Sequence, residues 1–222
     1  MNSNTAVIIP AYNEEKTIKK VVNSVKNIGT PVVVNDCSSD ATAAEAINAG
    51  AEVISNTKNL GYEKSIVVGL EHSIKKKYRY SITVDADGQH AQEDVMSVRL
   101  LLEDGYEIVV GVRVRMQRYS EYLIGFIGSL FWGIKDPLCG LKGYDLKALE
   151  ISNLYSYESI GTELAVTMVK SGRKFSQFDI ETCNRFYGQS TFGGNSFKTN
   201  VRFLKCFMNN FIKSSALKNN EK

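Results

Sequence analysis

Apolar residues in the first half of this chain come in short unbroken runs separated by helically spaced ones. Ala6-Val7-Ile8-Ile9-Pro10 is such a run, the pattern of a strand covered on both faces. From Glu14 to Ile28 the apolar positions are Ile18, Val21, Val22, Val25 and Ile28, which share one face of a helix. The run Pro31-Val32-Val33-Val34 predicts a second strand, ending at Asn35-Asp36. A short helix from about Ala41 to Ala49 follows, with Asp40 as its N-cap. Glu52 to Ser55 reads as a third strand. Tyr62 to Lys75 reads as a helix burying Ile66, Val67, Leu70 and Ile74. Ser81 to Val84 is a fourth strand, Gln92 to Glu103 a helix burying Val95, Val98, Leu101 and Leu102, and Ile108-Val109-Val110 a fifth strand.

Strands that alternate with helices make β-α-β units. The predicted fold class is therefore α/β, a mostly parallel sheet flanked by helices in a single domain. Past about Val112 the pattern loosens. An Arg-rich connection leads to an apolar helix around Tyr122 to Trp132, a loop at Asp136-Pro137-Leu138-Cys139-Gly140, and a helix from Gly161 to Ser171. The segment from Phe197 to Leu217 is amphipathic, with Val201, Leu204, Met208, Phe211 and Ile212 on one side. The boundaries are a domain over 1–196, divided at 112, and a basic tail over 197–222.

Composition adds limits. An apolar fraction of 43% and a charged fraction of 23% over 222 residues fit a globular protein with a sizeable core. The net charge of +3 excludes nothing, but its distribution is uneven. Between Glu181 and Glu221 there is no acidic residue and there are six basic ones, which points to an anionic partner. Cys37, Cys139, Cys183 and Cys206 form no C-x-x-C pair, and with only His72 and His90 a zinc site is not expected. No secretory leader is recognisable and no apolar run approaches the ~20 residues of a membrane span. The expected place is the cytoplasm, with a peripheral position on a membrane face left open.

The candidate chemistry lies where strands end. Asp85-Ala86-Asp87-Gly88-Gln89-His90 follows the fourth strand, and open α/β sheets bind ligands at the carboxyl ends of their strands. Two carboxylates one residue apart suit a hard divalent cation that leaves sites open for phosphate. Asp-Gly is also an ordinary turn dipeptide. Three more polar clusters close strands or open helices: Pro10-Ala11-Tyr12-Asn13-Glu14-Glu15, Asn35-Asp36-Cys37-Ser38-Ser39-Asp40-Ala41-Thr42, and Asn59-Leu60-Gly61-Tyr62.

In this order and spacing the four clusters resemble the inverting, family-two glycosyltransferases of the GT-A fold, over about Ala6 to Ser190. Three further motifs look like the dolichol-phosphate mannosyltransferase branch: Val110-Gly111-Val112-Arg113, Asp136-Pro137-Leu138-Cys139-Gly140-Leu141-Lys142, and Asn184-Arg185-Phe186-Tyr187-Gly188-Gln189-Ser190. That branch's usual S-G-F-R is Cys139-Gly140-Leu141-Lys142 here, and its usual Lys after the R-x-x-G-x-S run is Thr191.

The resemblance implies a nucleotide-binding half over 1–112 and an acceptor half over 113–196. It implies Mg2+ or Mn2+ held by Asp85, Asp87 and Gln89. Nucleotide contacts fall to Pro10, Tyr12, Glu14, Asp36, Asp85, Ala86 and Arg185, with Arg185 as a phosphate clamp and Ser190 near it. Arg113, Arg115 and Arg118 are expected on the acceptor phosphate, because a guanidinium donates bidentate hydrogen bonds to phosphate. Asp87, Arg113 and Asp136 form the expected catalytic set. Asp136 would act as a base toward a hydroxyl acceptor, or would orient the acceptor or brace its loop. His90 either caps or braces the loop or takes part in the site, and Cys37 is read as a small residue in a tight loop.

The reading is a metal-dependent inverting transferase moving sugar from a UDP- or GDP-sugar to a polyprenyl phosphate. The tail would contact the membrane surface, no nucleic acid is expected, and self-association is left open. The alternatives are a soluble transferase extending a glycan or cell-surface polysaccharide, and a non-catalytic module that binds sugar nucleotide.

Overall fold

β1 (Thr5–Ala11) is buried from end to end and serves two cores at once. Its alternate residues face opposite ways, as strand geometry requires. Val7 and Ile9 join Val21, Val22, Val25, Val95 and Val98 on one side of the sheet, while Ile8 joins Ile66, Leu70, Ile108 and Leu164 on the other. Each fully buried aliphatic side chain of this kind contributes about 1.5–3 kcal/mol. The computed structural model describes residues 4–116, 118–149 and 159–183. The tail, Arg185 and Ser190 lie outside the described residues.

The remaining elements follow the expected alternation. α1 (Ile18–Val25), β2 (Thr30–Asn35), α2 (Thr42–Asn48), β3 (Glu52–Ser55), α3 (Tyr62–Lys75), β4 (Tyr80–Thr83), α4 (Gln92–Glu103) and β5 (Ile108–Arg113) complete the first half. The N-cap of α2 is Ala41 rather than the expected Asp40, which lies one residue earlier and accepts the Thr42 backbone N–H on its Oδ1 at 3.0 Å. The second half adds α5 (Tyr119–Trp132), β6 (Lys142–Asp145), a one-turn 3-10 helix at Leu146–Ala148, α6 (Ile160–Lys170) and β7 (Phe175–Ile180).

The seven strands form one sheet in the order β3-β2-β1-β4-β6-β5-β7. All run the same way except β6, which is antiparallel to both of its neighbours. The sheet is thus mostly parallel, as expected, with an antiparallel insert. Neither β6 nor β7 is predicted by the sequence pattern. Lys142-Gly143-Tyr144-Asp145 has no apolar run, yet all four residues are buried. Gly143 explains why: a Cβ there would overlap Val98 and come within 2.9 Å of Leu102 Cδ1, so α4 packs directly on the β6 backbone. β7 is a half-exposed edge strand without clean alternation.

Strand order reverses between β1 and β4: β2 and β3 build outward on one side of β1, and the chain then returns through α3 to place β4 on the other. Such a switch point opens a crevice at the carboxyl ends of the strands.

Candidate active site

The loops that follow β1 and β2 are stitched together by their polar residues. The Asn13 amide N–H donates to Ser38 Oγ at 3.0 Å, and Asn13 Oδ1 accepts the Ser39 amide at 2.9 Å. Glu15 Oε2 accepts the Ala41 amide at 3.1 Å, and the Glu15 amide donates to Asp40 Oδ2 at 3.2 Å. Asn13 and Cys37 both take positive φ, the left-handed conformation such tight turns require. Much of the polar character of these two clusters therefore shapes the crevice wall. Asp36 belongs to the same framework. Its Oδ1 accepts Asn56 Nδ2 at 2.9 Å and the Leu60 amide at 2.8 Å, and its Oδ2 accepts the Gly61 amide at 2.8 Å. It fixes the turn that opens α3.

Asp85 lies at the centre. Tyr62 Oη donates to its Oδ1 at 2.7 Å, and His90 Nε2 lies 3.2 Å from its Oδ2. Burial works to raise the pKa of this carboxyl. The hydrogen bond and charge of His90, the Tyr62 hydroxyl and the charge of Arg113 outweigh that and hold it at about 2. The Tyr62 phenol is correspondingly pushed well up, by burial first and by Asp85 second. Gly140 makes room for the carboxylate, since a Cβ there would lie within 2.5 Å of Asp85 Oδ1. His90 thus braces the loop.

Asp87 is buried beneath the turn, its Oδ1 accepting the Gln89 amide at 3.0 Å. Gly88 takes φ +78, which turns the chain between them. Gln89 Nε2 donates to the Cys183 carbonyl at 3.3 Å, which ties the turn to the segment after β7. Among the described residues no three His, Cys, Asp or Glu side chains form a metal cage. Asp85, Asp87 and Gln89 nevertheless fit a hard divalent cation. Their side chains offer only carboxylate and amide oxygens toward such an ion, at least one carboxylate is kept ionised, and a cation so held takes its other ligands from phosphate or water.

Across the crevice stands an arginine–carboxylate cluster. Arg113 Nε and Nη2 donate to the two oxygens of Asp136 at 2.7 and 3.0 Å, and its Nη1 lies 3.3 Å from Glu121 Oε2. Arg118 Nη1 donates to Glu121 Oε1 at 2.8 Å. Burial works to lower the Arg113 pKa, but the Asp136 hydrogen bonds and charge raise it on balance. Asp136 is 1% exposed and stands behind Arg113, which also donates its backbone N–H to it at 3.2 Å. Arg115 is exposed at the rim.

One cleft of about 480 Å³ joins these groups. Pro10, Tyr12, Glu14, Asp36, Asp85, Ala86, Asp87, Gln89, Arg113, Arg115 and Arg118 all line it. Asp136 is not among the lining residues. The sequence reading did not single out Tyr62, Glu63, Glu121 and Lys142, which line it too. Glu63 accepts the Gly161 amide at 3.1 Å and Ser159 Oγ at 3.2 Å, joining α3 to the start of α6, and burial raises its pKa. Lys142 is buried with its Nζ donating to the Cys139 carbonyl, and burial lowers its pKa. Lys142 had a signal, as the cation closing the Cys139–Lys142 motif. Glu63 had none, because it is one polar residue at the start of a helix.

Known proteins supply a further finding. The family model described as Glycosyl transferase family 2 matches residues 6–122. A UDP-N-acetylglucosamine–dolichyl-phosphate N-acetylglucosaminyltransferase of Methanococcus voltae is 30% identical over 177 residues, covering 65% of this chain and 70% of that protein. A polyprenol monophosphomannose synthase of Mycolicibacterium smegmatis is 25% identical over 225 residues, covering 87% and 83%. Among solved structures, glucosyl-3-phosphoglycerate synthase from Mycobacterium tuberculosis in complex with Mn2+, UDP-glucose and phosphoglyceric acid superposes with a TM-score of 0.69. It is 17% identical, with 93% of this chain and 79% of that one covered. That likeness is one of fold, and it agrees with the mixed sheet and flanking helices described above.

Proposed function

The chain belongs to glycosyl transferase family 2, and from that premise we propose that it moves a glycosyl group from a nucleoside-diphosphate sugar bound in the cleft over β1, β2 and β4. The observation that carries this reading is the cleft of about 480 Å³. It joins the 85–90 turn, with an Asp85 carboxyl held at about 2, to the Arg113–Asp136–Glu121–Arg118 cluster.

In this reading the nucleoside lies against Pro10, Tyr12, Glu14 and Asp36. Asp87 and Gln89, with Asp85, would hold Mg2+ or Mn2+, which when bound neutralises charge on the diphosphate leaving group. The Mn2+ and UDP-glucose in the mycobacterial structure support that choice. An acceptor oxygen attacks the anomeric carbon from the face opposite the diphosphate. The new C–O bond forms as the old one breaks, and the electron pair leaves with the diphosphate. Arg115, at the rim, is the cation best placed to meet an anionic acceptor. Arg113 has each of its three nitrogens within 3.3 Å of a carboxylate oxygen and serves mainly to set the geometry of that wall.

Two acceptor classes have support of different kinds. The fold likeness supports a soluble acceptor, since the matching mycobacterial structure holds phosphoglyceric acid. The sequence relatives named for dolichyl phosphate and polyprenol support a polyprenyl phosphate. The geometry of Asp136 favours an acceptor that is already ionised: with both oxygens taken by Arg113 it is poorly placed to remove a hydroxyl proton.

The test is a turnover assay with UDP- and GDP-sugars and Mn2+. Polyprenyl phosphate in detergent is offered against soluble phosphorylated acids and oligosaccharides. Transfer to the lipid is expected; transfer to soluble acceptors alone would remove the lipid reading, and absence of any donor binding would remove the enzyme reading. Asp87→Asn should abolish metal-dependent turnover, at least about a hundredfold, with an unchanged melting temperature. Full activity in that variant would remove the metal assignment.

A further inference from the structure

α5 carries an apolar face that the rest of the described molecule leaves uncovered. Tyr119, Tyr122, Leu123, Phe126 and Leu130 follow an i, i+3, i+4, i+7, i+11 spacing and so share one side of the helix. Tyr119 is 86% exposed, and Phe126 and Leu130 are each 68% exposed. The opposite side, with Ile124, Gly125, Gly128 and Trp132, is buried against the domain. Single exposed apolar side chains are ordinary on a globular protein, but a contiguous stripe along a whole helix marks an interaction surface.

Charge decides what that surface meets. α5 has one charged residue, Glu121, and it is 4% exposed and paired with Arg113 and Arg118. The exposed charges at the two ends of the stripe are both cationic, Arg115 before the helix and Lys135 after it. A second copy laid face to face on this stripe would set cation against cation in either direction, since a two-fold interface repeats the same patch. A lipid surface has no such conflict. Its acyl boundary takes the Leu and Phe side chains, its interface takes the two tyrosines, and its anionic headgroups meet Arg115 and Lys135.

We propose that α5 is an interfacial helix that lies on an anionic bilayer surface and holds the cleft's Arg115 rim at the headgroup layer. Arg115 lines the cleft and flanks the stripe, so docking through α5 orients the opening as well as attaching the protein. Such docking stands whichever acceptor the cleft takes, so its failure would leave the glycosyl-transfer reading intact.

The experiment is co-sedimentation of the full chain with vesicles of phosphatidylcholine plus phosphatidylglycerol, and with vesicles of phosphatidylcholine alone. The wild type is compared with the double variant Phe126→Glu, Leu130→Glu. Both side chains are exposed, so an unchanged melting temperature and donor affinity are expected, and both are measured. The wild type should pellet with the anionic vesicles, and the double variant should lose at least about tenfold in partition. A wild type that stays in the supernatant would overturn the proposal. So would a double variant that pellets undiminished, which would transfer attachment to another surface. Equal wild-type partition into neutral vesicles would overturn the anionic assignment. A wild-type dimer in solution that the double variant converts to monomer would assign the stripe to a second copy instead.

Discussion

Asp136 and Gly140 show how single residues set the cleft through their neighbours. Asp136 is buried and bidentate to a nearly buried arginine, so its removal strands a charge. Asp136→Asn should destabilise the fold by about 3 kcal/mol, seen as an earlier unfolding midpoint in denaturant. A residue serving only as a base would leave that midpoint unchanged, so one titration separates the two roles. Gly140 acts by absence: a side chain there would displace the Asp85 carboxylate. Gly140→Ala should lower turnover by about tenfold or more while nucleoside-diphosphate affinity in the absence of metal changes little; comparison of turnover with calorimetric binding checks this. The motif containing both residues is visible in the sequence. Their roles are not, because an ion pair and a close backbone approach join residues distant along the chain.

At the level of elements, β6 is the instructive case. Strand propensity and hydrophobic periodicity both pass over Lys-Gly-Tyr-Asp, yet it lies between β4 and β5 in the middle of the sheet. Its place comes from hydrogen bonding on both edges and from the bare Gly143 backbone beneath α4. Gly143→Ala should cost about 1–3 kcal/mol by forcing Val98 and Leu102 aside, measured as a shift in the urea midpoint at constant slope. An exposed-helix glycine-to-alanine change would instead be neutral or stabilising. The parallel elements β1 to β5 and α1 to α4 were legible because each follows from a local stretch of sequence. β7 was not, since Phe-Ser-Gln-Phe-Asp-Ile has neither an apolar run nor clean alternation.

Across the whole molecule, two cores separated by one sheet carry the stability, and surface ion pairs adjust it with pH. Glu52 on the edge strand β3 is the clearest of these. A hydrogen bond with His72 leads the effects that hold its carboxyl below the ordinary 4.5. A depressed carboxylate stabilises fully above its unfolded pKa and loses that contribution as pH falls through the folded value. Glu52→Gln should therefore weaken the fall in stability between about pH 6 and about pH 3, measured as urea midpoints at each pH. A parallel pH profile in wild type and variant would show that the pair contributes nothing. Among the described residues no helix is long and apolar enough to cross a membrane.

The sequence by itself determined the α/β class, the first five strands and the four polar clusters. Strand and helix periods, and residues that end strands, are properties of local stretches. The order and spacing of those clusters carried the resemblance to family 2, and the match of the family model over residues 6–122 bears the family out. Only the tertiary structure decided that Asp136 is a buried partner of Arg113 and that Tyr62 and His90 hold Asp85. It alone revealed the central place of β6 and the face of α5 that the other described residues leave uncovered. Each of those depends on which distant side chains share a small volume, and on which surface the other described residues leave open.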